Sequence, residues 1–233
     1  MNKVFAFVFA RGGSKGLPRK NVLPLGGIPL IAHSIEVAKQ IVGVDKVFVS
    51  TDDAEIKEVA LRFGAEVIDR PAALARDNAP EIEAWRHAIS YLHEKGQDFD
   101  VLLSLPATSP LRAVSDVDAC LKALDEDTDV VITVTPASRS PYFNMVSRDR
   151  DGSCRLLSSS HGYSRRQDVP EAFDITTVGY AVKKQFILDH ENLFDGTVKS
   201  VVVPKERAVD IDDFLDYKFA EVLYGVSRDA AKK

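Results

Sequence analysis

Four cations and three glycines crowd into the eleven residues that follow an apolar run at the start of this chain. Val4 to Ala10 has the length and the β-branched and aromatic content of a buried strand. Arg11, Lys15, Arg19 and Lys20 come next, interleaved with Gly12, Gly13 and Gly16. Glycine admits backbone conformations closed to other residues and lets N–H groups approach a ligand, while the cations neutralise its charge. This is the chemistry of an anion site, and a polyphosphate is the guest that suits it. Two other phosphate loops are excluded by counting. A Walker A loop sets Gly-Lys-Ser/Thr after a glycine and four residues, but five residues after Gly12 stands Leu17, and five after Gly13 stands Pro18. The dinucleotide fingerprint Gly-x-Gly-x-x-Gly is not supplied by the adjacent Gly12 and Gly13. A turn whose cations are merely solvated is the plain alternative. The coincidence of strand, glycine pair, four cations, Pro18 and Asn21 argues against it.

Such a loop needs a sheet to hold it. Apolar residues at three- and four-residue spacing predict a helix over Ile28 to Val42, and Lys46 to Ser50 reads as a second strand. Thr51-Asp52-Asp53 is a helix start signal leading into Ala54 to Phe63. Ala65 to Asp69 reads as a strand, Glu81 to Lys95 as a helix, Asp100 to Leu105 as a strand, Asp116 to Leu124 as a helix and Asp129 to Thr135 as a buried strand. This alternation predicts an α/β domain with a mostly parallel, Rossmann-like sheet and helices on both faces. Ligands of such sheets sit at the carboxyl ends of the strands, which is where the loop at Arg11 and the turn Pro106 to Arg112 fall. Pro136 to Pro170 breaks the pattern: polar, Ser- and Arg-rich, with a hairpin-like turn at Asp149 to Gly152. It reads as a small protruding arm, either a lid or a dimerisation element. Strands follow at Asp174 to Val182 and Ser200 to Pro204, and a helix runs from Asp213 to about Leu223.

Composition narrows the classes. The 233 residues suit a single α/β domain, and 45% hydrophobic with 28% charged residues is the balance of a soluble globular protein. A net charge of −5 offers no global basic field for nucleic acid, so the cationic loop is a local site on an acidic protein. Cys120 and Cys154 form no CxxC and stand in no histidine cluster, which argues against zinc; Cys120 reads as a small buried side chain. Neither a secretory signal nor an apolar stretch long enough for a membrane span is legible, and the cytoplasm is the expected address.

The residues ARGGSKGLPRKN (Ala10 to Asn21), VSTDD (Val49 to Asp53), RPAALARD (Arg70 to Asp77), TSPLR (Thr108 to Arg112), RRQDVP (Arg165 to Pro170) and VDID (Val209 to Asp212) together resemble the acylneuraminate cytidylyltransferases. These include the CMP-sialic acid synthetases and relatives acting on legionaminic, pseudaminic and related 2-keto-3-deoxy acids. The motifs come in family order and span nearly the whole chain; the opening one is highly specific. The resemblance implies transfer of CMP from CTP to a 2-keto-3-deoxy sugar acid with release of pyrophosphate, Mg²⁺ as cofactor and a homodimer whose arm reaches the partner. An anomeric hydroxyl attacks the α-phosphorus in line, so catalysis is chiefly positioning and charge neutralisation.

By the same resemblance Arg11, Gly12, Gly13, Ser14, Lys20 and Asn21 hold CTP, with Arg11 and Lys20 on phosphate charge and Arg70 near the nucleotide. Thr108, Ser109, Arg165, Arg166 and Gln167 fall on the sugar side. Asp210 and Asp212 are the metal candidates: in an extended stretch residues i and i+2 share a side, so the two carboxylates stand together while Ile211 faces the core. Asp213 can cap the last helix. The chain departs from the family where members usually read LQPTSPLR. Here Leu105 to Arg112 is LPATSPLR, and Pro106 replaces the glutamine that hydrogen-bonds the sugar. Ile175-Thr176-Thr177-Val178 replaces a Pro-Asn-Gly-Ala segment, and Phe9 a proline. The CTP side is therefore expected to be intact and the sugar side altered, with Thr108, Thr176 or Thr177 serving the acceptor. The competing readings are a nucleotidyltransferase for a sugar 1-phosphate and a non-catalytic nucleotide-binding regulator; the presence of Arg11, Lys20, Asp210 and Asp212 weighs against the second.

Overall fold

Alternating apolar residues along the first strand split the core into two. In β1 (Val4–Phe9), Val4, Ala6 and Val8 face one side of the sheet and Phe5 and Phe7 the other. The computed structural model describes residues 2–158, 165 and 168–230, the last three as helix backbone. Pro24–Leu25 (β2) and Ile28–Pro29 (β3) form a small antiparallel pair before α1 (Leu30–Gln40). The helix expected from Ile28 thus starts two residues later, because Pro29 lacks an N–H and opens the helix from extended backbone. The chain continues through β4 (Val44–Thr51), α2 (Ala54–Arg62), β5 (Glu66–Asp69), α3 (Glu81–Glu94), β6 (Val101–Ser104), α4 (Val114–Ala123) and β7 (Val130–Pro136). After β8 (Val146–Arg148) and β9 (Cys154–Leu156) come β10 (Phe173–Lys183), α5 (Lys184–Asp189), β11 (Val198–Val202) and α6 (Phe214–Ala230).

The main sheet has seven strands in the order β11-β7-β10-β6-β1-β4-β5, all parallel except β10, which runs against both neighbours. Helices α1, α2 and α4 cover the Val4 side, where Cys120 is fully buried and its thiol is pushed up to about 12 by that burial. Helices α3 and α5 cover the Phe5 side with Trp85, Leu92 and Phe186. The expected parallel α/β sheet with helices on both faces is therefore present. A third cluster seats α6 on β2 and the start of α1 through Ala220, Leu25 and Leu30. The arm leaves the sheet after β7 and returns on its neighbour β10, where Phe173 pairs with Pro136. Within it β8 and β9 form a hairpin turned at Asp149 to Gly152, as the sequence predicts. Among the described residues no helix is long and apolar enough to cross a membrane.

The neighbouring parallel strands β6, β1, β4 and β5 all end on one edge of the sheet. Thr108, Arg11, Asp52 and Arg70 follow those ends in turn.

Candidate active site

The glycine-rich loop after β1 is held by the aspartates at the end of β4. The Gly12 N–H donates to Asp52 Oδ1 at 3.0 Å, and Arg19 donates to Asp53 at 2.6 and 3.2 Å and also to Glu55. Asp53 at the same time caps α2 by accepting from the Ile56 N–H at 2.9 Å. The bond from Arg19 holds the Asp53 carboxyl below its usual value, with the Ile56 amide adding to the effect. Arg19 itself sits at φ 57, in the left-handed region, so the loop bends back to make this contact. It is a strut of the loop and does not line the cavity beside the loop. Asn21 is buried and donates to the Arg11 carbonyl at 3.0 Å, which closes the loop's base. A Cβ on Gly12 would stand 2.7 Å from Asp53 Oδ2, and one on Gly16 would collide with the Asp212 carbonyl oxygen. These two glycines allow a close approach that any side chain would block.

The loop forms one wall of a cavity of about 410 Å³, in which Arg11, Ser14, Lys15 and Lys20 face Thr108 and Asp212. A second cavity of about 290 Å³ adjoins it, sharing Phe9 and Arg11 and adding Arg70, Asp77 and Glu81. The cations are already paired: Asp77 takes Arg11 at 2.9 Å and Lys15 at 2.5 Å, and Asp212 takes Lys20 at 2.9 Å. Lys15, foremost, and Arg11 hold the Asp77 carboxyl below its usual value. Arg70 is buried; its Nε donates to Ser50 Oγ at 3.1 Å and its Nη2 to the Ser50 carbonyl at 2.7 Å. Its guanidinium lies 5.7 Å from the Phe9 ring centroid, and burial lowers its pKa to about 10.

Asp210 and Asp212 enter from the far end of the chain. Ile211 is fully buried, and its N–H donates to the Thr108 carbonyl at 2.9 Å, tying this segment to the turn after β6. Asp210 Oδ1 is buried without a hydrogen-bond partner, while Asp212 is exposed to the cavity. A buried carboxylate oxygen lacking a donor is what a hard cation satisfies, so the donor set fits a divalent ion. Asp213 accepts from the N–H groups of Leu215 (2.7 Å) and Asp216 (3.0 Å) and caps α6, apart from the pair.

A sequence profile described as cytidylyltransferase matches residues 5–214. The chain belongs to the cytidylyltransferase family. It is 34% identical over 226 residues to the post-translational flagellin modification protein B of Campylobacter coli, across 96% of this chain and 95% of that one. It is 31% identical over 227 residues to the CMP-N,N'-diacetyllegionaminic acid synthase of Campylobacter jejuni, again across 96% and 95%. Among solved structures, a CMP:2-keto-3-deoxy-manno-octonic acid synthetase complexed with CTP shares the fold at a TM-score of 0.74 and 19% identity, over 97% of this chain and 99% of that one.

The expected sugar side of this cytidylyltransferase is only partly assembled at the cavity. Thr108 lines it, but Ser109 is fully buried and its hydroxyl lies 2.6 Å from that of Thr177. Thr176 is likewise buried, donating to Thr133 Oγ1 at 2.7 Å. Ser109 therefore braces the turn after β6 against Thr177, and Thr176 ties β10 to Thr133 of β7 just before the bulge between Thr176 and Tyr180, so neither lines the cavity. Arg165 is exposed and lines neither cavity. Arg166 and Gln167 lie outside the described residues. Two residues were missed by sequence reasoning. Arg112 is a buried guanidinium that donates to the carbonyls of Val178 (2.6 Å), Thr177 (3.1 Å) and Pro106 and to Ser34 Oγ (2.5 Å), with its pKa lowered to about 9 by burial. Its presence in TSPLR was the only signal. Glu81, at the start of α3, was legible merely as a helix-start acid.

Proposed function

We propose that this cytidylyltransferase transfers CMP from CTP to a 2-keto-3-deoxy sugar acid and releases pyrophosphate. The observation that carries the reading is the arrangement of Arg11, Lys15 and Lys20 on one wall of a cavity whose opposite wall brings in Asp212. The cations hold the triphosphate, with Ser14 and the loop amides as hydrogen-bond donors. The acceptor's anomeric hydroxyl attacks the α-phosphorus and gives up its proton to solvent, the bond from the α-phosphorus to the bridging oxygen breaks, and pyrophosphate carries away the electron pair. Asp210 and Asp212 would hold Mg²⁺, which when bound neutralises triphosphate charge. Asp77 and Asp212, which pair the cations before substrate arrives, give them up to the phosphates.

For the acceptor, similarity to a legionaminic acid synthase supports an acid of the legionaminic, pseudaminic or sialic type. Pro106 has no side-chain donor, and its carbonyl is taken by Ser34 and Arg112. N-acetylneuraminic acid is therefore expected to be turned over poorly beside another acid of the class. Pyrophosphate release from CTP and Mg²⁺ against a panel of these acids tests both statements. No release with any acid sinks the function, and the highest kcat/KM for N-acetylneuraminic acid sinks the inference from Pro106. A cytoplasmic address belongs to the same proposal, since the reaction draws on CTP.

A homodimer belongs to the same reading. The β8–β9 hairpin pairs through three residues on each strand, all exposed, and carries Val146 and Leu156 at 51% and 42% exposure. An isolated two-stranded hairpin is marginal in water, so a second copy is the natural support for it.

A further inference from the structure

Asp210 is held in a costly place. Its Oδ1 is buried without a hydrogen-bond partner among the described residues, and a turn outward to water would recover the free energy that such burial costs. The segment must therefore be fastened on both sides of it. On the C-terminal side Ile211 is fully buried with its N–H on the Thr108 carbonyl, and Lys20 meets Asp212. On the N-terminal side the fastening is Arg207, three residues back. Its Nε and Nη2 donate to Asp116 at 2.8 and 2.9 Å, one nitrogen to each carboxylate oxygen. Asp116 lies in the first turn of α4 with its side chain 6% exposed, and it also accepts from the Ala113 N–H at 2.9 Å.

A solvated ion pair contributes little, but this one is built differently. One partner is buried and anchored in a helix, and the two-pronged geometry fixes the direction of approach as well as its distance. Arg207 sits in a tight turn, its N–H bound to the Pro204 carbonyl and that of Ala208 to the Lys205 carbonyl. Fixing its guanidinium therefore fixes the backbone that runs on to Asp210, by way of Val209, which is buried in the cluster that seats α6. Arg112 brings positive charge near both Asp116 and Asp210, but its nitrogens are committed to the carbonyls of Pro106, Thr177 and Val178 and to Ser34. Arg207 is thus the cation that compensates Asp116, and Asp210 is the carboxylate left for an incoming cation.

We propose that Arg207, clasped to Asp116, is the positioning residue that keeps Asp210 in place as a ligand for a divalent cation. The inference rests on the reading of Asp210 and Asp212 as the Mg²⁺ pair. It is tested by calorimetric binding of CTP, without acceptor acid, in EDTA and at saturating Mg²⁺, the fold of each variant being checked by its thermal melt. The wild type is expected to bind CTP more tightly with Mg²⁺, and Asp210→Asn to lose most of that gain. Arg207→Met should bind CTP in EDTA as the wild type does but lose about tenfold of the Mg²⁺ gain, the usual cost of removing a group that orients a metal ligand. Arg207→Lys, which keeps the charge but not the fork, should fall between the two. Asp116→Asn should reproduce the loss and add little to it in combination with Arg207→Met, because both remove one contact. A full Mg²⁺ gain in Arg207→Met overturns the proposal, as does equal weakening in EDTA and in Mg²⁺, which would make the clasp a general support of the fold. Where Arg207→Met does not fold, Arg207→Lys decides, and a full gain there overturns the proposal. A full gain in Asp210→Asn instead overturns the reading of the acidic pair as the metal site, and the proposal with it.

Discussion

Lys20 is the most enclosed cation of the loop after Arg11 and Lys15 are set beside it, its side chain only 13% exposed and held at 2.9 Å by Asp212. A charge so placed contributes more to phosphate binding than a solvated one. Lys20→Ala should weaken CTP binding by about 1.5 to 3 kcal/mol, the range for a lost charge-assisted bond. Calorimetry reads this directly; unchanged affinity would mean that Lys20 serves only to pair Asp212. The acidic partner makes a separate prediction. Because Asp213 and Asp216 supply the cap of α6, Asp212→Asn should fold normally. It removes charge from the proposed Mg²⁺ site, and product formation at limiting Mg²⁺ should slow about tenfold or more. Full activity there would make the pair structural.

Between elements, Arg112 is the fastening that joins the turn after β6 to α1 and to the bulge of β10. Arg112→Met would remove the guanidinium donor from the carbonyls of Val178 and Thr177 and leave Pro106 with Ser34 alone. The expected loss is about 3 kcal/mol or more of folding stability, measured by urea denaturation. A milder loss would mean that water replaces the guanidinium. The contact of α1 with its surroundings carries a pH response. His33 sits 2.9 Å from the Leu25 carbonyl and edge-on to Tyr224 of α6, and burial, chiefly, lowers its pKa. His87 in α3 is lowered by burial and by the Arg70 charge. The unfolded chain takes up protons at histidine near pH 6.5, whereas these folded histidines do so only at lower pH. Between those limits the unfolded state binds more protons, so their contribution, fully present above about pH 6.5, is lost as pH falls toward the folded pKa values. Thermal melts across that interval should show a declining melting temperature, with a shallower slope for His33→Gln. An unchanged slope in that variant would assign the pH response elsewhere.

At the scale of the whole molecule, the acidic surface and the cationic loop act together. A net charge of −5 gives no general anion field, so recognition of an anion falls to the cations gathered at the end of the parallel strands. The arm is the part that one copy leaves least supported. Sedimentation equilibrium should return about twice the 25.6 kDa chain mass, and Val146→Asp with Leu156→Asp should shift the protein toward monomer while leaving the sheet folded. A monomeric wild type at micromolar concentration would remove the dimer from the proposal.

The order of strands and helices, the glycine-rich loop after β1, the hairpin turn and the Asp213 cap were legible because each depends on residues close together in sequence. Apolar period, glycine placement and capping are local signals, and tertiary packing reinforced them. Extended alternation likewise placed Ile211 inward with the acids to either side of it. Orientation and partnership were another matter. Arg19 and Lys20 are adjacent cations of the same loop, yet one braces Asp53 and Glu55 while the other meets Asp212, 192 residues away. Ser109 and Thr176 read as candidates for the sugar, and only the packing of β10 shows that Ser109 meets Thr177 and Thr176 meets Thr133 in the interior. The distance from Glu81 to Arg70 along the chain conceals that both line one cavity. Composition and period determined which segments must bury a face. Which polar groups then met, and across which cavity, was decided by parallel strands ending on one edge, since that geometry brings loops together regardless of their separation in sequence.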